Sequence, residues 1–166
     1  MFTDGVTYTN SVSNSMWAVF LAICELPPIL RFSSENIIFH SLWSGPDLDF
    51  NLFLKKYNEI DDLLNNGIQF NDIKLRVRIH IFTGDSPGRC KALNTVQHTG
   101  YYSCLMCDHP SERNSNNTAN IFPLKLNSKS RTHLDYIQQV NEAIENGMKT
   151  KCPKTKGIKG FTYLSN

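Results

Sequence analysis

From Ile73 onward the chain alternates strictly, with Ile73, Leu75, Val77, Ile79 and Ile81 set between Lys74, Arg76, Arg78, His80 and Phe82. Period two is the repeat of a strand whose side chains point to opposite faces. The pattern predicts a strand over 73–81 with one apolar and one solvated face. Asp85 stands directly after it. Shorter apolar runs come earlier: Phe2 to Tyr8 predicts a first strand and the polar stretch Thr9 to Ser15 a turn. Trp17 to Leu26, apolar almost without a break, predicts a strand covered on both faces. Asn36 to Trp43 predicts a third strand, closed by Ser44-Gly45-Pro46. The spacing then changes to three and four, where Phe53, Tyr57, Ile60 and Leu64 predict a helix over 49–65 with Gly67 just past its end.

Beyond Asp85 the pattern is weaker. Arg89 to Gln97 predicts a short helix and Ser111 to Thr118 a loop. Thr132 to Asn146 carries Leu134, Ile137, Val140, Ala143 and Ile144 on one helical face, with Gly147 as its stop. Lys149 to Asn166 is basic and lacks a period. No internal repeat is visible.

Three strands, a helix and a fourth strand, with Asp4 on the first strand and Asp85 closing the fourth, form a ribonuclease H-like order of elements. In that topology the fourth strand pairs with the first, so their residues come within one inter-strand spacing of roughly 4.8 Å. Two carboxylates so placed share divalent ions about 3.5–4 Å apart, the separation used for in-line phosphoryl transfer. The expected fold class is therefore α/β, a truncated ribonuclease H-like mixed sheet with a zinc-knuckle insertion after the fourth strand. Residues 1–87 would form the core, with four strands and one helix. Residues 88–131 would form the Cys-x-x-Cys insertion, and 132–166 a helix and a basic C-terminal segment. Strict alternation on the fourth strand departs from the apolar character of a central parallel strand. Its basic face is expected to meet solvent. Without further support, each aspartate also reads as a turn former or helix cap.

At 166 residues, 40% hydrophobic, the chain is long enough for a sizeable core. The net charge of +2 does not by itself call for a nucleic acid, but it is unevenly distributed. Residues 1–123 carry 9 Lys and Arg against 12 Asp and Glu, whereas residues 124–166 carry 8 against 3. Lys149, Lys151, Lys154, Lys156 and Lys159 are thus candidates for nucleic-acid phosphates, through salt-sensitive and sequence-blind contacts. A solvated tail is the plainer reading.

The chain has 5 cysteines, Cys24, Cys90, Cys104, Cys107 and Cys152. The run from Trp17 to Cys24 has no basic residue before it, unlike a secretory leader. It also falls short of the roughly 18–20 apolar residues that span a bilayer. An intracellular chain with reduced thiols is expected. Cys104-Leu-Met-Cys107 delivers two thiolates to one tetrahedral zinc ion, which is half of a structural site. His98 is the expected third ligand, with Cys90, His109 and Cys152 competing for the fourth place. A redox Cys-x-x-Cys or plain buried cysteines are the alternatives.

Several motifs together extend this reading. They are Asp4-Gly5-Val6, Glu25-Leu-Pro-Pro-x-x-Arg31, Leu42-Trp43, Asp85-x-Pro87-x-Arg89, His98-Thr-Gly-Tyr-Tyr-x-Cys104-x-x-Cys107, Arg131-Thr132 and Lys156-Gly-Ile-Lys-Gly160. In order and spacing the chain resembles the transposase domain of CACTA-type DNA transposons and their animal relatives. The resemblance runs through nearly the whole chain. It implies a ribonuclease H-like fold with an Asp-Asp-Glu triad, in which Asp4 matches the first member and Asp85 the second. Glu142 and Glu145 match no motif of the family, so the third acid is unassigned. Relatives carry sequence before the Asp-Gly-Val and continue beyond the Gly-x-x-Gly segment; many have Ala where Gly88 stands, and a Cys near Asn94 rather than at Cys90.

The chain is accordingly expected to be a fragment of a transposase catalytic domain, inactive alone. The alternative is a non-catalytic zinc-binding DNA or protein interaction module derived from one. The resemblance implies Mg2+ or Mn2+ at the aspartates of the intact enzyme and structural Zn2+ at the cysteines. It further implies transposon-end DNA as partner, no membrane, a homo-oligomeric intact transposase and a nuclear location.

Overall fold

The computed structural model describes residues 1–7, 15–46, 48–55, 58–124, 127–147 and 153–165. They form two compact units, Met1–Gly88 and Arg89–Asn166.

The first unit runs β1 (Phe2–Thr7), β2 (Ser15–Ala22), α1 (Pro28–Arg31), β3 (Ile37–Gly45), α2 (Phe50–Lys55), α3 (Asn58–Asn66), β4 (Ile68–Phe70), β5 (Ile73–Leu75) and β6 (Thr83–Gly84). A mixed sheet of four strands has the order β3-β2-β1-β6. β1 and β3 both run antiparallel to β2, and β6 runs parallel to β1. One face of the sheet holds the core. Thr3, Trp17 and Val19 are buried there together with Phe50, Phe53 and Leu54 of α2. The Trp17 and Phe50 rings meet edge-on at 5.3 Å, and those of Trp43 and Phe53 at 6.5 Å. α2 starts where it does because the Asp49 carboxylate accepts the amides of Asn51 and Leu52.

Two expectations for this unit need correction. β2 is covered on one face only: Val6 and Met16, paired across β1 and β2, are exposed, as is Leu42 of β3. The aromatic rings of α2 reach just the Trp17 side. The ladder from Ile73 to Ile81 is not one strand. Ile73–Leu75 pairs with Ile68–Phe70 in a small hairpin, and the main sheet receives only Thr83–Gly84. Phe2 and Thr3 pair with Thr83 and Gly84, and the Ile81 carbonyl accepts from Met1 N. Ile73 and Ile81 are 62% and 53% exposed.

The helix expected over 49–65 appears as α2 and α3, with Phe53 and Ile60 buried; Tyr57 lies outside the described residues. Gly67 ends α3 at φ 69, and a Cβ there would stand 2.3 Å from the Leu75 carbonyl oxygen. The Glu25-to-Arg31 motif also finds a structural role. Pro28 opens α1, and the Arg31 guanidinium donates back to the carbonyls of Cys24 and Leu26.

Helix α4 (Ser86–Ala92) precedes β7 (Glu112–Arg113), β8 (Asn120–Ile121) and α5 (His133–Glu145). In the second unit Cys90, Ala92, Val140, Ala143 and Ile158 are buried. Thr132 and Asp135 close a reciprocal capping box on α5. The apolar face expected for α5 is narrower in the structure, since Leu134 is 81% exposed and the polar Gln139 is buried. Gln139 is held inside because its Oε1 accepts from Arg131. Ser111–Thr118 is the first limb and turn of a two-residue-per-strand hairpin. The C-terminal segment is built into the unit: Val96 N donates to Gly157 O, and Lys159 N to Asn94 O.

Candidate functional site

Parallel pairing puts Phe2 opposite Thr83 and Thr3 opposite Gly84, and the residues that follow these rungs are Asp4 and Asp85. Both strands run the same way, and both aspartates stand one residue past the last shared rung, exposed. Each carboxylate has one oxygen fixed by backbone. Asp4 Oδ1 accepts from Gly5 N at 2.8 Å, and Asp85 Oδ1 from Gly88 N at 2.7 Å. Asp85 thereby caps α4, the plain role open to it from sequence, while its other oxygen has no hydrogen-bond partner among the described residues. The same holds for the second oxygen of Asp4.

One indole backs both positions. A Cβ on Gly5 would lie 2.5 Å from Trp17 Cε2, and one on Gly88 would lie 3.3 Å from Trp17 Cζ3 and 2.7 Å from Asp85 Oδ1. Both glycines therefore make room for the Trp17 ring. Two hard oxygens free to ligate and facing water suit magnesium or manganese. Among the described residues no group of three or more His, Cys, Asp or Glu side chains is positioned to hold a metal ion, so a third ligand does not accompany the pair. Glu142 and Glu145 lie on α5.

In the second unit, the Cys104 and Cys107 sulfurs stand 3.2 Å apart as free thiols, with Cys107 donating. Burial raises the Cys104 thiol, but the hydrogen bond from Cys107, the amides of Met106 and Cys107 and the charge of Arg131 outweigh it, and its pKa falls. Burial and donation to Cys104 push the Cys107 thiol up. A tetrahedral zinc with bonds of about 2.3 Å would set two sulfurs roughly 3.8 Å apart, so the pair would open slightly to take one. No third described His, Cys, Asp or Glu joins the thiols. His98 is exposed, Cys90 is 1% exposed, and the His109 ring bonds the Pro123 carbonyl. Cys152 lies outside the described residues.

Arg131 organises this region. Its Nε donates to the carbonyls of both Cys104 and Cys107, each at 3.0 Å. Nη1 donates to Gln139 Oε1, and Nη2 to the carbonyls of Tyr102 and Lys156. The backbone joins in, since Arg131 N donates to Met106 O and Cys107 bridges Ser130. One guanidinium thus ties together the thiol turn, α5 and the C-terminal segment. The Arg131-Thr132 motif was visible in the sequence, but nothing in its pattern disclosed this role.

Lys156 is likewise engaged: its ammonium pairs with Asp108 at 2.9 Å and stands 5.7 Å from the Tyr102 ring centroid. That hydrogen bond holds the Asp108 carboxyl below its usual range. Gly157 follows at φ 83, where a Cβ would meet the Tyr102 carbonyl oxygen at 2.4 Å. Lys154 is exposed and Lys159 half-buried, while Lys149 and Lys151 lie outside the described residues.

No described helix is long and apolar enough to cross a membrane. The family model described as Transposase family tnp2 matches residues 1–139. No curated protein and no solved structure matches the chain. The chain belongs to the tnp2 transposase family.

Proposed function

We propose that this transposase-family chain carries the metal-binding part of a DNA strand-transfer site, with Asp4 and Asp85 as two of its ligands. The observation that supports the reading is the parallel β1–β6 register, in which Asp4 and Asp85 each follow the last shared rung. A sheet in which β1 lies between β2 and β6 supports a ribonuclease H-like arrangement and, with it, the Asp-Asp-Glu chemistry of CACTA-type relatives.

Asp4 and Asp85 would hold magnesium or manganese, and such an ion would supply activation of water or a 3′-hydroxyl and charge stabilisation at a scissile phosphate. The chain's own part is positional. Gly5 N and Gly88 N each fix one carboxylate oxygen and leave the other pointing free. Two carboxylates in place of three hold the ion weakly, so the chain as it stands is expected to be poorly active alone. Transposon-end DNA as substrate, oligomeric assembly and a nuclear location follow from the same reading.

The thiol pair suits a structural zinc. Cys104 and Cys107 would supply two donors, His98 the third, and Cys90, His109 or Cys152 the fourth. One equivalent of zinc or cobalt, with thiolate-to-cobalt absorption lost in Cys104→Ser, is the expected result; no metal-dependent absorption would remove zinc from the account.

Nicking of supercoiled plasmid by the whole chain, titrated with Mg2+ and Mn2+, tests the main reading. Nicking abolished by Asp85→Asn and by Asp4→Asn supports it. No nicking at any metal concentration favours the non-catalytic zinc-bearing interaction module.

A further inference from the structure

The second unit contains a polar cleft of about 160 Å3 whose walls carry four cationic side chains, Lys129, Arg131, Lys154 and Lys156, against two carboxylates, Asp108 and Asp135. We propose that this cleft receives a single backbone phosphate of DNA. The inference rests on the reading that the chain works on DNA, and it names a contact remote in kind from the metal ligands.

The charge pattern carries the argument. Lys129 pairs with Asp135 at 2.6 Å and Lys156 with Asp108 at 2.9 Å, which cancels both carboxylates. The charges of Arg131 and Lys154 are left over. Four of the five Arg131 N–H groups go to four carbonyls and Gln139, so the guanidinium acts on a ligand chiefly through its field. Lys154 is different, since it is exposed and engages no other described side chain. Ser130 and Gln138 also line the cleft, are exposed, and offer a hydroxyl and an amide with no described partner.

The ligand that matches is small, anionic and rich in acceptors. The volume is well below the several hundred cubic ångströms of a site for a drug-sized molecule, yet enough for one tetrahedral anion. A lysine ammonium meets a phosphate as a point charge from a range of directions, so the site needs no planar fork. Such a contact positions a duplex without reading its sequence. It also gives Lys154 a defined partner where sequence alone offered a basic run.

The test is fluorescence anisotropy of the whole chain with a labelled duplex of arbitrary sequence, over roughly 50–200 mM KCl. Lys154→Ala combined with Gln138→Ala changes only exposed side chains, and circular dichroism checks that the fold is kept. The expected result is about threefold to tenfold weaker binding and a salt slope smaller by about one, with Lys154→Arg close to the unaltered chain. Lys74→Ala removes the same charge from an exposed position in the first unit and is expected to leave the slope unchanged. Equal losses in the Lys74 and Lys154 variants, or no loss at Lys154, would overturn the proposal. Competition by inorganic phosphate at concentrations matching the duplex phosphates would also overturn it, because the cleft would then be a free-phosphate site. If cleft variants bind normally while Asp85→Asn still abolishes nicking, only the cleft falls. If the cleft effect holds but nicking never occurs, only the catalytic reading falls.

Discussion

In the Met1–Gly88 unit, backbone register places the chemistry-bearing side chains, whereas in the Arg89–Asn166 unit one arginine places them. Asp4 and Asp85 each follow the last rung of a ladder shared by two parallel strands, and their carboxylates make few contacts of their own. Cys104 and Cys107 are neighbours because a short turn brings them together, and that turn has little regular structure to hold it. The stabilising work falls to Arg131, which satisfies carbonyls that a helix or sheet would have satisfied. The first design is expected to keep its fold when either side chain is lost, since the sheet stays. The second is expected to fail when its centre is lost.

The sharpest way to break this contrast is Arg131→Ala. It leaves four carbonyls and Gln139 without their donor, at about 1–3 kcal/mol for each group that stays buried and unpaired. A loss of about 3 kcal/mol or more is expected in denaturant unfolding of the second unit. Arg131→Lys should recover little, because one ammonium cannot span the same acceptors. Full recovery by lysine would show that charge alone matters.

Next in size is Gly5→Ala. Its new methyl would stand 2.5 Å from the Trp17 ring, which is buried and wedged against Phe50. Overpacking of this kind costs about 1–3 kcal/mol. The change should also disturb the aspartate-bearing strand end, seen as weaker Mn2+ binding; unaltered stability would place Trp17 elsewhere.

Gly88→Ala acts more locally. Its Cβ would lie 2.7 Å from Asp85 Oδ1 and displace that oxygen from the Gly88 amide. Mn2+ affinity should fall only modestly, with little change in unfolding, because the contact is with the end of a movable side chain and relatives that carry Ala here accommodate the methyl. Unchanged affinity would mean that the cap does not orient Asp85.

The smallest expected effect is on pH dependence. The Lys129 hydrogen bond, then those from Thr132, hold Asp135 down from 3.8 to about 2. A folded pKa below the unfolded one stabilises the fold at neutral pH, and that contribution is lost as pH falls from about 4 through about 2. The pair is exposed, so the change in unfolding midpoint should be slight and absent in Asp135→Asn. A larger acid sensitivity that survives in Asp135→Asn would point to Asp108, the other carboxylate held down by a lysine.

The contrast also explains what could be read in the residues. Strand and helix periods announced β1, β2, β3 and α5, and the pairing of the segment before Asp85 with the first strand followed from topology. The ladder after Ile73 misled because alternation reports two faces, not the presence of a partner strand. Its early residues pair with Ile68–Phe70 in a three-residue hairpin instead. Arg131 was inaccessible to this reasoning for a different reason. Its partners are backbone carbonyls, which leave no mark in the sequence. The buried Gln139 on an otherwise apolar helical stripe was the one available clue, and its meaning appears only once Arg131 is seen beside it.

The central claim is that Asp4 and Asp85 hold one ion between them. Mn2+ affinity measured by electron paramagnetic resonance for the unaltered chain, Asp4→Asn, Asp85→Asn and the double variant tests it directly. A shared ion predicts that the double variant binds no more weakly than either single one. Losses that multiply, or single variants that bind as the unaltered chain does, would show that the two carboxylates do not share a metal.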